Sequence, residues 1–501
     1  MGKITVSGGQ FKQDGTRFRF IGVNCYPLVQ DDLTQQQLDN FFSNCKDDNI
    51  SVVRTWCFNQ DVPATNTVGN FRYLSGGALN WVESTFVSLD RVLASARKYN
   101  VRLILPLVDN NGSNKDDYCT WNDSINGTSY ASNLVRNVAT LTQTGNLATC
   151  TTTVPHGFTT DDRVTIAGAV ETDYNLSRWI TVTGATTFTY TIANNPTSPA
   201  TGTITATRPA HPRYFYDDSN IRQMYKDFID KLAARVNTIN GVLYSDDDTI
   251  FSIELGNELR YDVSNDPNIN TASSNNFAKL GKSSGWADVM STYIKTKFPG
   301  HLVGYGDIAH TNDFVNGDTI HNGTLYGVDY TLTGALPNID YFDFHVYPYA
   351  DSPDFTLNKY GQSLGFPNAS TAEGLTRQLI NFIKIAKAAG KPCMIGEWGV
   401  DKRNTVLNSY PSYPRQVHFA KLFNDFFGAD GDGALLWQYA TSNILDDNNY
   451  NILPSEIHSG SNDNGNLNDD DSVLISVMAQ KSSQINGKRR SLSQIVIEAV
   501  I

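Results

Sequence analysis

The 501-residue chain carries little charge and few sulfurs, and nowhere a long apolar run. Charged residues make up 18% of it, and the formal net charge is −12 with a pI near 5.1. An acidic chain is poorly matched to nucleic acid or an anionic membrane, so neither is expected as a partner, and the substrate should be neutral or weakly charged. No stretch approaches the ~18 apolar residues of a membrane span. The opening "MGKITVSGGQF" lacks a signal-peptide core, and Val6 breaks the N-myristoylation pattern. Six cysteines (25, 45, 57, 119, 150 and 393) lie without metal-type spacing. Several fall in apolar segments and read as free buried thiols. No GxGxxG, P-loop or HExxH element suggests a nucleotide or catalytic zinc, so no cofactor is expected. What the chain does have is 25 Phe, 24 Tyr, 7 Trp and 38 Gly within a 40% apolar composition. That balance fits a globular protein with many turns.

Eight short β-branched or aromatic runs each end in polar residues: 18–26, 51–58, 102–109, 250–258, 302–307, 341–348, 392–399 and 433–439. Between them apolar residues recur at helical spacing, at 34–46, 82–99, 286–297, 372–389 and 415–427. Another such stripe runs through "SNIRQMYKDFIDKLAARVNTIN" as far as Val236. Strands that are nearly continuously apolar and alternate with helices imply a parallel sheet covered on both faces. Eight of them predict an α/β fold, a closed (β/α)8 TIM barrel. One interval is too long: the strand ends at 109 and 258 lie 149 residues apart. Its surplus, 140–209, is rich in Thr and Val and punctuated by Gly, Pro and Asn, which reads as a small all-β module. It is expected between the third strand and its helix. The expected organisation is a discontinuous barrel of 1–139 and 210–485, the inserted module 140–209, and a C-terminal tail 486–501.

Chemistry in such barrels collects at the C-terminal ends of the strands. Those ends carry Arg54, Asp109, Asn257, Glu258, His345, Tyr347, Glu397 and Trp437. Singly, each is more often a solvated or structural group; together, two glutamates around one mouth are what glycoside hydrolysis requires. One protonated carboxyl gives its proton to the leaving oxygen, while the ionised one attacks the anomeric carbon or activates water. Glu254 shares a strand with Glu258 but lies about 13 Å deeper, where it reads as a buried structural acid.

The segments "FKQDGTRFRFIGVNCYPL", "VVRTWCF", "LILPLVDN", "TIFSIELGNELR", "IDYFDFHVYP", "KPCMIGEWGV" and "GDGALLWQY" resemble, in that order, family 5 glycoside hydrolases, and among them the endo-β-1,4-mannanases. The likeness spans about 4–130 and 213–440. It implies Glu258 as general acid/base and Glu397 as nucleophile, in a retaining mechanism. It implies that Asn257 holds the sugar 2-hydroxyl, that Arg54 and Tyr347 orient Glu397, and that His345 sits beside the acid/base. Trp437 would lie beneath the sugar, with Tyr26, Trp56 and Trp398 as further aromatic candidates. Two departures are Leu259, where the family commonly has proline, and "VDNNGSNKDD", where an Asn-Asn-Trp run is usual; Asp109 and Asn111 therefore leave the glycone-side subsites open. The module, especially "TVPHGFTTDDRVTIAGAVETDYN", resembles short β repeats of phage and viral tail-associated proteins, which implies an extracellular, virion-borne or lysis-released protein.

The acidic run "SNILDDNNYNILPSEIHSGSNDNGNLNDDD" lacks EF-hand spacing and reads as a solvated loop, and "SVLISVMAQKSSQI" as the eighth helix. The expected activity is hydrolysis of a β-linked mannan-type polysaccharide by a monomeric retaining endo-β-1,4-mannanase. Within the class a β-1,4-glucanase or exo-β-mannosidase competes. Outside it stands a non-catalytic carbohydrate-binding or particle-attachment protein.

Overall fold

The eight apolar runs form eight parallel strands in the computed structural model, which describes residues 1–60, 66–110, 114–210, 214–260, 283–309, 328–346, 371–399, 415–439, 452 and 471–485. They are β1 (Phe20–Asn24), β2 (Val52–Arg54), β3 (Arg102–Pro106), β4 (Ile250–Glu254), β5 (Leu302–Gly304), β6 (Phe342–Val346), β7 (Cys393–Trp398) and β8 (Gly433–Leu436). Chain neighbours pair in parallel from β5 back through β1 to β8, β7 and β6. At the remaining seam the Asp340 amide, just before β6, donates to the Val303 carbonyl of β5 at 2.8 Å. This is the expected (β/α)8 barrel. Each strand is shorter than its apolar run, because the polar C-terminal residues turn out into the loops.

Two layers of apolar side chains hold the barrel. Phe20, Val52, Ile104, Phe251, Leu302, Met394 and Leu435 fill the interior, while their strand neighbours Ile21, Val53, Leu103 and Ala434 pack outward. An N-terminal hairpin, Ile4–Ser7 with Gln10–Gln13, adds Phe11 to the interior cluster. The Phe11 ring meets Phe20, Phe251 and Tyr341 at centroid distances of 5.1–6.1 Å. Burying such a side chain is worth about 1.5–3 kcal/mol.

The expected helices are present at Gln35–Asp47, Glu83–Lys98, Ser219–Ala233, Trp286–Lys297, Thr371–Ala388, Arg415–Gly428 and Asp471–Ile485. Local chemistry explains their ends. Thr34 and Gln37 form a reciprocal capping box at the start of the first. The stripe through Val236 ends early, at Ala233. The Asn237 side chain accepts from the Ile239 and Asn240 amides, folding a turn in place of another helical turn and leaving Val236 53% exposed. All six cysteines are free and buried. Among the described residues no helix is long and apolar enough to cross a membrane.

The long interval holds an inserted antiparallel sheet of seven strands, with its own buried cluster around Leu141, Cys150, Phe188, Tyr190 and Ala206. Its end strands, Ser177–Trp179 and Thr181–Val182, are joined through Ile180 alone, so the sheet curls back on itself and shelters its edges. Its strands run from Leu134 to Arg208, starting before the expected 140. As expected, it falls between β3 and the helix Ser219–Ala233, and a further helix that the sequence reading did not separate, Asn114–Asn126, precedes it. Where the chain crosses into and out of the insert, Tyr130 stacks on Tyr214 at 3.9 Å. The Tyr214 hydroxyl donates to Asp162 at 2.6 Å, and that of Tyr130 donates to Asp218 at 2.9 Å.

Candidate active site

Strand parity decides which side chains reach the barrel mouth, and two irregularities set it. Between β6 and β7, Phe344 pairs with Ile395 but His345 pairs with Glu397, leaving Gly396 as an extra residue. In a regular strand, Met394 pointing inward would send Glu397 outward with Ile395. The one-residue bulge turns Glu397 into the mouth instead. A Cβ on residue 396 would sit 3.0 Å from His345 Nε2, so glycine leaves room for the imidazole. In β4, Ile250 pairs with Leu103 and Ser252 with Ile104, and this shift carries Glu254 inward.

The regular β4 strand stops at Glu254, and residues 255–258 continue irregularly. The Asn257 amide donates to the Val108 carbonyl and the Glu258 amide to the Gly306 carbonyl, both at 2.7 Å. Glu258 itself adopts a left-handed φ of 53°, a conformation that non-glycine residues keep where surrounding contacts enforce it.

Arg54, fully buried at the end of β2, ties the site together. Its Nε donates to Glu254 at 2.7 Å, Nη1 to Glu397 at 2.7 Å and Nη2 to Asn257 at 2.8 Å. Nη1 also reaches Asn24 Oδ1 at 3.4 Å, and Asn24 in turn donates to the Gly396 carbonyl. Burial works against the guanidinium's charge, but Glu254 and then Glu397 outweigh it and keep Arg54 protonated. Asn257 passes a further hydrogen bond to Asp109 at 3.0 Å.

Glu258 is held from the other side. His345 Nδ1 lies 2.8 Å from Glu258 Oε1 and 3.6 Å from Glu397 Oε2, and Arg260 Nη1 lies 3.5 Å from Glu258 Oε2. One carboxylate oxygen of Glu258, one of Glu397 and a ring nitrogen of His345 fall within 4.8 Å of one another, all buried. Two carboxylates and an imidazole are also donors that a divalent ion accepts. Here, though, Arg54 already places a positive charge on Glu397. The arrangement sets one carboxyl against a guanidinium and the other against an imidazole, two unlike surroundings at one mouth.

Beside the pair lies an aromatic platform. Trp437, just past β8, is partly exposed; Tyr26 stacks parallel to it with centroids 5.8 Å apart, and Trp56 tilts against it at 5.7 Å. The Arg54 guanidinium sits over Trp56 at 4.9 Å. Such a surface matches the C–H face of a pyranose.

A family model described as GH family 5 beta-mannosidase-like matches residues 3–442. The chain belongs to this family. Mannan endo-1,4-beta-mannosidase 8 of Oryza sativa subsp. japonica is 23% identical over 306 residues, 60% of this chain. Mannan endo-1,4-beta-mannosidase A of Hypocrea jecorina is 38% identical over 112 residues, covering 21% of this chain and 25% of that protein. The match to the rice protein spans 56% of that protein's length, and 43% of the putative mannan endo-1,4-beta-mannosidase 5 of the same species. Among solved structures, the endo-1,4-beta-mannanase from Rhizomucor miehei superposes with a TM-score of 0.62 at 19% identity, covering 97% of this chain and all of that one. The endo-beta-1,4-mannanase from Thermotoga petrophila gives 0.60 at 20% identity, covering 95% and 79%. At such identities the superpositions establish the barrel alone. None of these findings supports the likeness of the insert to phage or viral tail repeats.

Of the residues expected at the site, Arg54, Asp109, Asn257, Glu258, His345, Glu397, Trp437 and Trp56 are brought together here. Trp398 is not. It is fully buried against Phe419 and Phe423, a packing role. Tyr347 and Asn111 lie outside the described residues, as do most of the acidic run after Tyr439 and the tail 486–501. Sequence reasoning left out Asn24 and Arg260, and it set Glu254 apart from the site. The signal for Glu254 was its place two side-chain periods before Glu258; nothing in the sequence names Arg54 as its partner.

Proposed function

We propose that the chain is a retaining β-1,4-mannanase that cleaves within mannan or glucomannan chains. The observation that carries this reading is the approach of Glu258 and Glu397, one oxygen of each lying within 4.8 Å of the other with His345 against both. Retaining enzymes hold their carboxyl groups about 5–5.5 Å apart, whereas inverting ones need about 6.5–9.5 Å to admit a water. In this reading Glu397, ionised beside Arg54, attacks the anomeric carbon while Glu258 gives its proton to the departing glycosidic oxygen. Glu258 then takes a proton from water, whose oxygen displaces Glu397 and releases the sugar. Asn257, oriented by Arg54 and Asp109, is placed to bond the 2-hydroxyl, and Trp437 to floor the sugar.

The named activities of the rice, Hypocrea and Rhizomucor proteins support mannan as the substrate class. The test is product length on mannan, glucomannan and cellulose. Mixed oligomannosides are expected; mannose alone would mean exo action, and release from cellulose only would mean a glucanase. Glu258→Gln should lower kcat by about 10²–10⁴-fold, and Glu397→Ala should abolish turnover with binding largely spared. Undiminished hydrolysis in either variant excludes the mechanism, and binding without any hydrolysis by the wild type would favour a carbohydrate-binding protein.

A further inference from the structure

Glu254 closes β4 with no exposed surface, yet it contacts the guanidinium of Arg54, which also holds Glu397. Its Oε2 accepts from Arg54 Nε at 2.7 Å, and its Oε1 accepts from the Tyr341 hydroxyl at 3.0 Å, which is itself 2.9 Å from Ser252 Oγ. Both oxygens are thus fixed, and they fix Arg54. A planar guanidinium pinned at Nε has only its two amino groups left to aim, and these meet Glu397 and Asn257.

We propose that Glu254 is a positioning residue for the nucleophile, acting through Arg54 by orienting the guanidinium and by sharing its charge. This inference rests on the retaining-mannosidase reading and deepens it. The charge balance across the reaction explains why a second buried acid is useful. Before attack, Arg54 is shared between the Glu254 and Glu397 carboxylates, so its charge is not given to Glu397 alone. When Glu397 attacks, its oxygen bonds to the anomeric carbon and its negative charge is lost in a neutral ester. Arg54 would then be a buried cation without its counter-charge, a costly state, unless Glu254 remains beside it. Glu254 therefore favours the covalent intermediate over the free nucleophile. The acids around it fit this division. Burial, then Glu254 and Asp307, push the nearby Asp343 carboxyl well above the usual range, and it is Glu254 that meets the guanidinium directly, at 2.7 Å.

Glu254→Gln preserves size and hydrogen bonding but removes the charge, leaving Arg54 to Glu397 alone. On an activated aryl β-mannoside, whose leaving group needs no proton from Glu258, kcat/KM should fall about 10- to 100-fold, as losses of supporting partners do. The acidic limb of the kcat/KM profile should also move to lower pH, because one fewer neighbouring anion makes the nucleophile easier to ionise. Glu254→Asp keeps the charge and shortens the reach, so it should lower kcat/KM while leaving the acidic limb in place. A folded Glu254→Gln protein whose kcat/KM and pH profile match the wild type overturns the inference. If that variant does not fold, Glu254→Asp decides: kcat/KM equal to wild type overturns it, and a loss with an unmoved limb supports it. A wild type that hydrolyses no β-mannoside removes the mannosidase reading itself, and this inference with it.

Discussion

Arg54 does more at this site than any other single side chain. It is the shared donor to Glu254, Glu397 and Asn257, so the proposed nucleophile and the amide proposed for the 2-hydroxyl are set by one rigid fork. A second buried group has a readable pH signature. Burial pushes the Asp307 carboxyl up to about 7, even though it accepts from the Ala309 amide at 2.7 Å and the Thr333 hydroxyl at 3.0 Å. An aspartate near ~3.9 in the unfolded chain takes up a proton on folding here. The stability this supports is full below about pH 4 and is lost as pH rises toward 7, amounting to a few kcal/mol as an order of magnitude. Asp307→Asn should flatten the dependence of unfolding free energy on pH across that window. Denaturant titrations with the wild-type slope in the variant would show that the dependence arises elsewhere.

At the scale of elements, bulges and caps place what the apolar pattern cannot. The extra residue at Gly396 turns Glu397 inward, and the shift in β4 does the same for Glu254. The helix Ser219–Ala233, which returns the chain after the insert, starts at Asp218. That side chain accepts from the Asn220 and Ile221 amides while its other oxygen takes the Tyr130 hydroxyl. Asp218→Ala removes both the cap and a tie to the segment entering the insert. A loss of about 1–2 kcal/mol is expected, measured as a lower midpoint in urea at unchanged slope. A loss no larger than a few tenths would show that the cap adds nothing.

Across the whole molecule, two apolar cores are separate. The barrel has its interior and outer clusters, and the insert has one around Phe188. A chain with two such cores need not unfold in a single transition. Phe188→Ala should cost the insert roughly 3–5 kcal/mol, lowering one calorimetric transition while the other, with aryl β-mannoside hydrolysis, stays in place. Loss of both together would mean that the Tyr130–Tyr214 stack and the Tyr214–Asp162 bond couple the two bodies into one cooperative unit.

The architecture is legible in the amino-acid order alone. Strand number, strand order along the chain and the site of the long interval are written in apolar runs and helical stripes, whose periods follow directly from backbone geometry. The sequence also singles out Glu258, Glu397, Arg54 and Asn257 as candidates, because polar residues at the ends of apolar strands stand out. It could not tell which way Glu397 points, because a one-residue bulge reverses every side chain beyond it and leaves no mark in the apolar pattern. It overran the helix at Val236, where the Asn237 turn prevailed over periodicity. It set Glu254 aside as a structural acid, since the partner that joins it to the site is 200 residues away in the chain. Tertiary structure decided these points, because hydrogen bonds and charge pairs depend on distance in space, and only closure of the barrel brings β2, β4 and β7 to one guanidinium.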